Sequence, residues 1–191
     1  MATNASPTSP DRILAAATRI AQAHGYGGLN LRALAEQVGI KAASLYHHFP
    51  SKADLAAAVA RRYAEDSAVV LEGLATEAGN AGEALRRYPE TFRRSLEHDN
   101  RMCLCSFMAA EYDDLPAAVQ TEIQAFADIN VAWLAQRLQA LGMTDARQAH
   151  VRASAIFAAV SGAQLMARGR ADLALFDALM DNYRSAGLFS A

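Results

Sequence analysis

Alanine is the commonest residue of this chain and helix breakers are few, with 11 glycines and 5 prolines among 191 residues. Alanine has no side-chain entropy to lose in a helix, so a chain of this make-up is committed to helices almost throughout. Sandwiches, barrels and doubly wound sheets need β-branched runs bounded by turn clusters, and the sequence has none. Hydrophobic residues make up 52% and charged residues 20%, which supports a buried core and excludes a disordered chain. No stretch approaches the ~18 apolar residues of a membrane span. The first ten residues lack the basic start and apolar stretch of a secretory signal. Cys103 and Cys105 stand too close to pair on a helix. No disulfide framework is expected, and the expected location is the cytoplasm.

The mean charge conceals an asymmetry. Between positions 11 and 62 stand seven cations (Arg12, Arg19, Arg32, Lys41, Lys52, Arg61, Arg62) against three acids (Asp11, Glu36, Asp54), a balance of +4 in a chain whose total is −2. Both lysines of the protein lie in this stretch. A basic module joined to an acidic remainder points toward a polyanionic partner for the module.

Local signals divide the chain. Residues 1–8 are rich in Ser, Thr, Asn and Pro without apolar periodicity and read as a disordered tail. Ser9-Pro10 reads as a cap and first helical residue, and Ile13, Ala17, Ile20 and Ala21 carry a helix to Gly25. Asn30 caps a short helix, with Leu29 and Leu34 placed to clamp its entry and Gly39 to end it. A third helix is expected over 41–49, with Leu45 and His48 or Phe49 turned inward and Pro50 ending it. Ser51-Lys52-Ala53-Asp54 is a capping box opening a fourth helix that reaches at least to Leu71. Further helices are expected over 83–97, 102–111, 117–141, 144–167 and 173–186, the one before last broken by Gly169. The expected class is all-α, with about nine helices.

Residues 31–37, the turn at 38–40 and residues 41–49 fit a helix-turn-helix, whose second helix is sized for the major groove of DNA. Ala35 is small where the two helices approach, and Val38 and Ile40 flank the glycine. A helix on the outside of an ordinary bundle would show Glu and Lys pairs. This one shows Lys41, Ala42, Ala43, Ser44, Tyr46 and His47, which can approach bases and phosphates.

The run from Leu31 to Leu55, above all Leu45-Tyr46-His47-His48-Phe49-Pro50-Ser51-Lys52-Ala53-Asp54-Leu55, resembles the DNA-binding signature of TetR/AcrR-type bacterial transcriptional regulators. The resemblance implies a helix-turn-helix domain over 9–55 and a helical bundle over 56–191 for ligand binding and dimerisation. It implies phosphate contacts from Tyr46, His47 and Lys52, base contacts from Lys41, Ala42 and Ser44, and a base or phosphate contact from Arg32. His48 and Phe49 would pack inward. The function it implies is repression from a palindromic operator bound by a homodimer, released by a small apolar or electrophilic inducer.

Beyond the motif, Tyr63, Phe92, Met102, Cys103, Phe107, Met108, Phe126, Trp133 and Phe157 could line an apolar cavity between helices. Cys103 or Cys105 could be a sensor thiol. After the break at Asp99-Asn100, Cys103 would stand in a first helical turn near Arg101, where its pKa could fall. Burial as a small hydrophobe is the competing reading. Cys103 stands eight residues before Glu111, a spacing that resembles one subgroup of these regulators. For the dimer, Ile156, Val160 and Ala163, with Leu175, Leu179 and Tyr183, offer apolar seams. No enzyme is indicated: no oxyanion loop or third orienting group accompanies the Cys and His residues, and Gly25-Tyr26-Gly27-Gly28 follows a helix where a phosphate loop follows a strand. Metal and cofactor are not expected, since His47 and His48 face different sides of their helix. A helical ligand carrier without DNA binding is the alternative, and it leaves the basic segment unexplained.

Overall fold

The computed structural model describes residues 9–190, so the expected tail over 1–8 lies outside the described residues. Helix α1 (Ser9–His24) ends at Gly25, which takes φ +66°, a left-handed value that a side chain penalises. Helix α2 (Leu31–Val38) opens as the sequence predicts, with the Asn30 side chain accepting from the Arg32 and Ala33 amides. It closes at Gly39 (φ +76°), and the Ile40 amide returns to the Ala35 carbonyl. Helix α3 (Ala42–His48) is one residue shorter at each end than expected. Phe49 is forced extended (φ −134°) by the proline that follows it.

Helix α4 (Lys52–Ala78) starts at Ser51, whose hydroxyl accepts from the Asp54 amide, and runs unbroken past the boundary expected at 55/56. The helix expected over 83–97 is two helices, α5 (Ala81–Arg87) and α6 (Glu90–Glu97), because Pro89 has no N–H to continue the ladder. Asp99 and Asn100, at φ +60° and +53°, turn the chain into α7 (Leu104–Ala109). Asp and Asn tolerate this region better than most residues. Then come a 3₁₀ turn (Tyr112–Asp114), α8 (Ala117–Ala140), α9 (Ala146–Arg170) and α10 (Leu173–Ser185). Gly169 does not break α9. The left-handed turn falls at Ala171 (φ +49°), and Asp172 caps α10 through the Leu175 amide.

Packing follows from these lengths. α8 packs on both α4 and α9, α10 packs on α9, and in the first unit α1 packs on α4, α2 on α1 and α3 on α2. Ile13, Leu34, Leu45, Leu55 and Val59 are fully buried at the centre of the first unit. Each contributes about 1.5–3 kcal/mol by leaving water. In the second unit Leu85, Tyr88, Leu134, Leu138, Ile156, Val160 and Phe176 do the same.

Among the described residues the amides of Asn130 and Gln164 are buried there, and both are satisfied. Asn130 accepts from the Tyr88 hydroxyl (2.9 Å) and donates to the Phe126 carbonyl (2.9 Å). Gln164 accepts from the Cys103 amide (3.0 Å) and donates to the Phe92 carbonyl (2.8 Å). Among the described residues no helix is long and apolar enough to cross a membrane.

Candidate nucleic-acid interface and ligand core

Helix α3 buries a single residue, Leu45, and Phe49 follows it into the core just past the helix end. Everything else on it is exposed or, for Ala42, half-buried: Ala43, Ser44, Tyr46 (43% exposed), His47 and His48 all face out. Lys41 stands at its N-terminus and is exposed. His48 therefore corrects the expectation that it packs inward. It lies on the outer face beside His47, their rings 5.6 Å apart and edge to face. The reason is the exit at Phe49. Once that ring turns in, the inner side of so short a helix is filled by Leu45 and Phe49 together.

The charges sort themselves by partner. Arg61 is held by Glu122, Arg62 by Asp11 and Asp66, and Arg12 donates to the Val38 carbonyl (2.8 Å) at the end of α2. Among the described residues, Arg32 and Lys41 make no ion pair. Lys52, in the first turn of α4, also meets no carboxylate: its ammonium donates to the Gly27 carbonyl (3.3 Å) and lies 4.3 Å above the Tyr26 ring. Of the cations without an ion pair among the described residues, Lys41 stands at the N-terminus of α3, Lys52 opens the next helix and Arg32 lies in the first turn of α2, so positive charge borders a helix whose small, hydroxyl and imidazole groups are exposed. That arrangement offers donors to phosphates from three elements and a close approach to base edges.

The expected ligand residues come together in part. Tyr63 meets Phe126 (5.6 Å between ring centres), Phe126 meets Phe157 (6.2 Å), Phe157 meets Phe92 (6.1 Å), and Tyr88 joins Phe92 to Trp133. Cys103 and Met108 are buried in the same core as these rings, whereas Met102 is buried outside it and so departs from the expectation. Tyr88, one of the aromatic residues that cluster in sequence after the motif, stands four residues before Phe92 and belongs to the same file. Phe107 is not part of the file and corrects the expectation. Its ring lies beneath the Arg168 guanidinium (4.9 Å), which in turn donates to the carbonyls of Gln22 and Ala23 at the end of α1. Among the described residues the buried Trp133 Nε1, in the file itself, and Ser161 Oγ, one turn beyond Phe157 on α9, have no hydrogen-bond partner.

The thiols behave oppositely to an activated pair. Cys103 and Cys105 are 2% and 1% exposed. Burial pushes the Cys103 thiol up against the opposing pull of Ser106 and Tyr63, and raises Cys105 well above the ordinary thiol range. Arg101, expected to favour a thiolate, instead donates to the Arg19 carbonyl and pairs with Asp99. The phenol of Tyr63, facing Cys103, is likewise pushed up by burial.

The dimer expectation is corrected in α9. Ile156, Val160 and Ala163 are at most 1% exposed within a single chain, so they serve its own core. They face inward because α8 and α6 pack on that side. Leu175, Leu179 and Tyr183 of α10 are half-buried. The apolar residues that α9 leaves outside are Val151 (63% exposed), Leu165 (59%) and Met166 (46%), aligned with exposed Ala155, Ala158 and Gly162.

Comparison with known proteins bears on the first unit most directly. Residues 13–59 match the bacterial regulatory proteins of the tetR family. Over 146 residues the chain is 27% identical to the HTH-type transcriptional repressor KstR of Rhodococcus jostii (strain RHA1), covering 76% of this chain and 64% of that protein. The chain thus spans less than two thirds of that relative's length. Two solved structures are similar over nearly the whole chain. A TetR transcriptional regulator from Legionella pneumophila has a TM-score of 0.89 at 27% identity, covering 96% of this chain and 99% of that one. A TetR-family regulator from Agrobacterium tumefaciens has 0.81 at 28% identity, covering 91% and 94%.

Proposed function

The chain belongs to the TetR family of bacterial transcriptional regulators, and on that premise we propose that it is a ligand-released repressor that grips a palindromic operator as a homodimer. The observation that carries the reading is the outward face of α3, where Lys41, Ser44, Tyr46 and His47 are exposed, while Arg32 and Lys52 meet no carboxylate among the described residues. Tyr46, His47 and Lys52 hold phosphates; Lys41, Ala42 and Ser44 face bases, with His48 added to that surface. Arg32 reaches over from the start of α2. Half-sites repeat at about 34 Å, so two recognition helices are presented by a symmetric pair.

For the dimer contact we assign the outer stripe of α9, Val151, Ala155, Ala158, Gly162 and Leu165, together with the half-buried Leu175, Leu179 and Tyr183 of α10. Small residues at three- and four-residue spacing allow two copies of α9 to approach closely. The inducer is a small neutral apolar molecule received among Tyr63, Phe92, Phe126, Trp133 and Phe157. The unpartnered Trp133 indole N–H and Ser161 hydroxyl would supply its polar contacts. Electrophile sensing loses its support with the burial of both thiols.

Two substitutions test the division of labour. Lys52→Ala weakens binding to every duplex by a common factor of about ten, whereas Ser44→Ala changes the order of preference among duplexes with a smaller mean loss. Binding to a panel of selected and scrambled duplexes reads both. A Lys52→Ala protein that binds the whole panel like its parent contradicts the assignment.

A further inference from the structure

The turn that joins α1 to α2 is gripped from both sides by groups distant in sequence. On one side is Glu111, just past the end of α7. Its carboxylate accepts from the Tyr26 amide (2.6 Å) and the Gly27 amide (3.3 Å), two successive N–H groups that form a small anion cradle. A Cβ on Gly25 would land on that carboxylate, and Gly25 holds a left-handed φ, so the glycine both shapes the cradle and leaves room for its occupant. On the other side is Lys52, whose ammonium is fixed by the Gly27 carbonyl and the Tyr26 ring. The Gly25-Tyr26-Gly27-Gly28 segment thus binds an anion after all, and the anion is the protein's own.

We infer that Glu111 is a positioning residue for DNA binding, acting through the Tyr26-Gly27 turn to hold the Lys52 ammonium where it meets a phosphate. The inference rests on the DNA-binding reading of α3 and Lys52 given above. Lys52 has three donors and spends one on Gly27, leaving two for a phosphate. Its direction is then set by the turn, and the turn's by Glu111. The same carboxylate ties this geometry to the ligand core, because α7 is anchored at its other end where the Cys103 amide meets Gln164.

A double-mutant cycle in the full-length chain tests this, read by fluorescence anisotropy with a labelled mixed-sequence duplex of about 30 base pairs, between about 50 and 200 mM salt. Glu111→Ala is expected to bind about tenfold more weakly and to lower the salt slope by about one unit per subunit, as Lys52→Ala does. Glu111→Gln, which keeps one acceptor oxygen, loses about threefold or less. With Lys52 already alanine, adding Glu111→Ala costs less than a further factor of about two. Wild-type affinity in both Glu111→Ala and Glu111→Gln overturns the inference, and so do losses that multiply in the double variant. If Glu111→Ala does not fold, the Glu111→Gln slope and its cycle with Lys52→Ala decide in its place. A parent protein that ignores the duplex at every salt sinks the DNA-binding reading and this inference with it. A parent that binds, with Lys52→Ala weakened and the Glu111 variants unchanged, sinks the inference alone.

Discussion

Tyr46→Asp is expected to cost about two orders of magnitude in duplex affinity while leaving the thermal midpoint within about 2 °C of the parent. Tyr46 is 43% exposed on α3 and packs little, so its loss removes almost no buried surface. Its hydroxyl is a neutral donor suited to a phosphate oxygen, and aspartate puts a negative charge there. In a dimer the repulsion is counted twice. About 1.4 kcal/mol per subunit gives the hundredfold loss, a modest figure for like charges at a contact. Gel-shift or anisotropy titration beside a melting curve reads both quantities. A variant that binds like the parent would mean that the outward face of α3 is not the face DNA meets.

Gln164→Leu is the largest stability change expected, about 2–4 kcal/mol, or a fall in midpoint of roughly 5–15 °C. The side chain is fully buried and its amide ties three helices, accepting from the Cys103 amide and donating to the Phe92 carbonyl from its place in α9. Leucine fills similar space without a polar atom, leaving the Cys103 N–H at the entrance to α7 buried and unpaired. The Phe92 carbonyl, within α6, suffers less. Tyr88→Phe is the control, since it breaks one buried hydrogen bond to Asn130 and should cost about half as much. Equal stability of Gln164→Leu and the parent would show that α7 does not depend on this link.

What could be read from the sequence was governed by local chemistry. Asn30, Gly39 and Ser51 act within a few residues of themselves, and the caps and the left-handed turn they announce are found in place. The identity of the motif rests on that same short run. Errors arose where the deciding contact is distant or where two sides of a helix are equally apolar. Ile156 and Val160 on one side of α9, and Val151 and Leu165 on the other, are alike in composition. Only the neighbours α6 and α8 decide which side is core. His48 lies on the borderline of a helix too short to fix its own inner face, and the exit of Phe49 decides it.

The ties between the two units left the faintest trace. Arg101 to the Arg19 carbonyl, Arg168 to Gln22 and Ala23, and Glu111 to Tyr26 and Gly27 each join residues more than eighty positions apart. No periodicity or capping rule records such a contact. The sequence held two signs that nothing local joined: a glycine-rich turn after a helix with no phosphate site to explain it, and Glu111 eight residues beyond Cys103. Gly169 misled for the opposite reason. An exposed glycine within a helix costs about 1 kcal/mol relative to alanine, and that does not end a helix whose stop is set by Ala171 and the Asp172 cap.

The most direct test of the central claim is the salt dependence of duplex binding by the unmodified protein. Only cations release counterions: Lys52, and Arg32 where it reaches a phosphate, neutralise one or two phosphates in each of two subunits, giving a slope of about −2 to −4 in log affinity against log salt. A slope in that range, reduced by about two in the Lys52→Ala dimer, is the expected result. Affinity that is absent at every salt, or present but indifferent to salt, contradicts the claim that α3 and its flanking cations are built to lie against DNA.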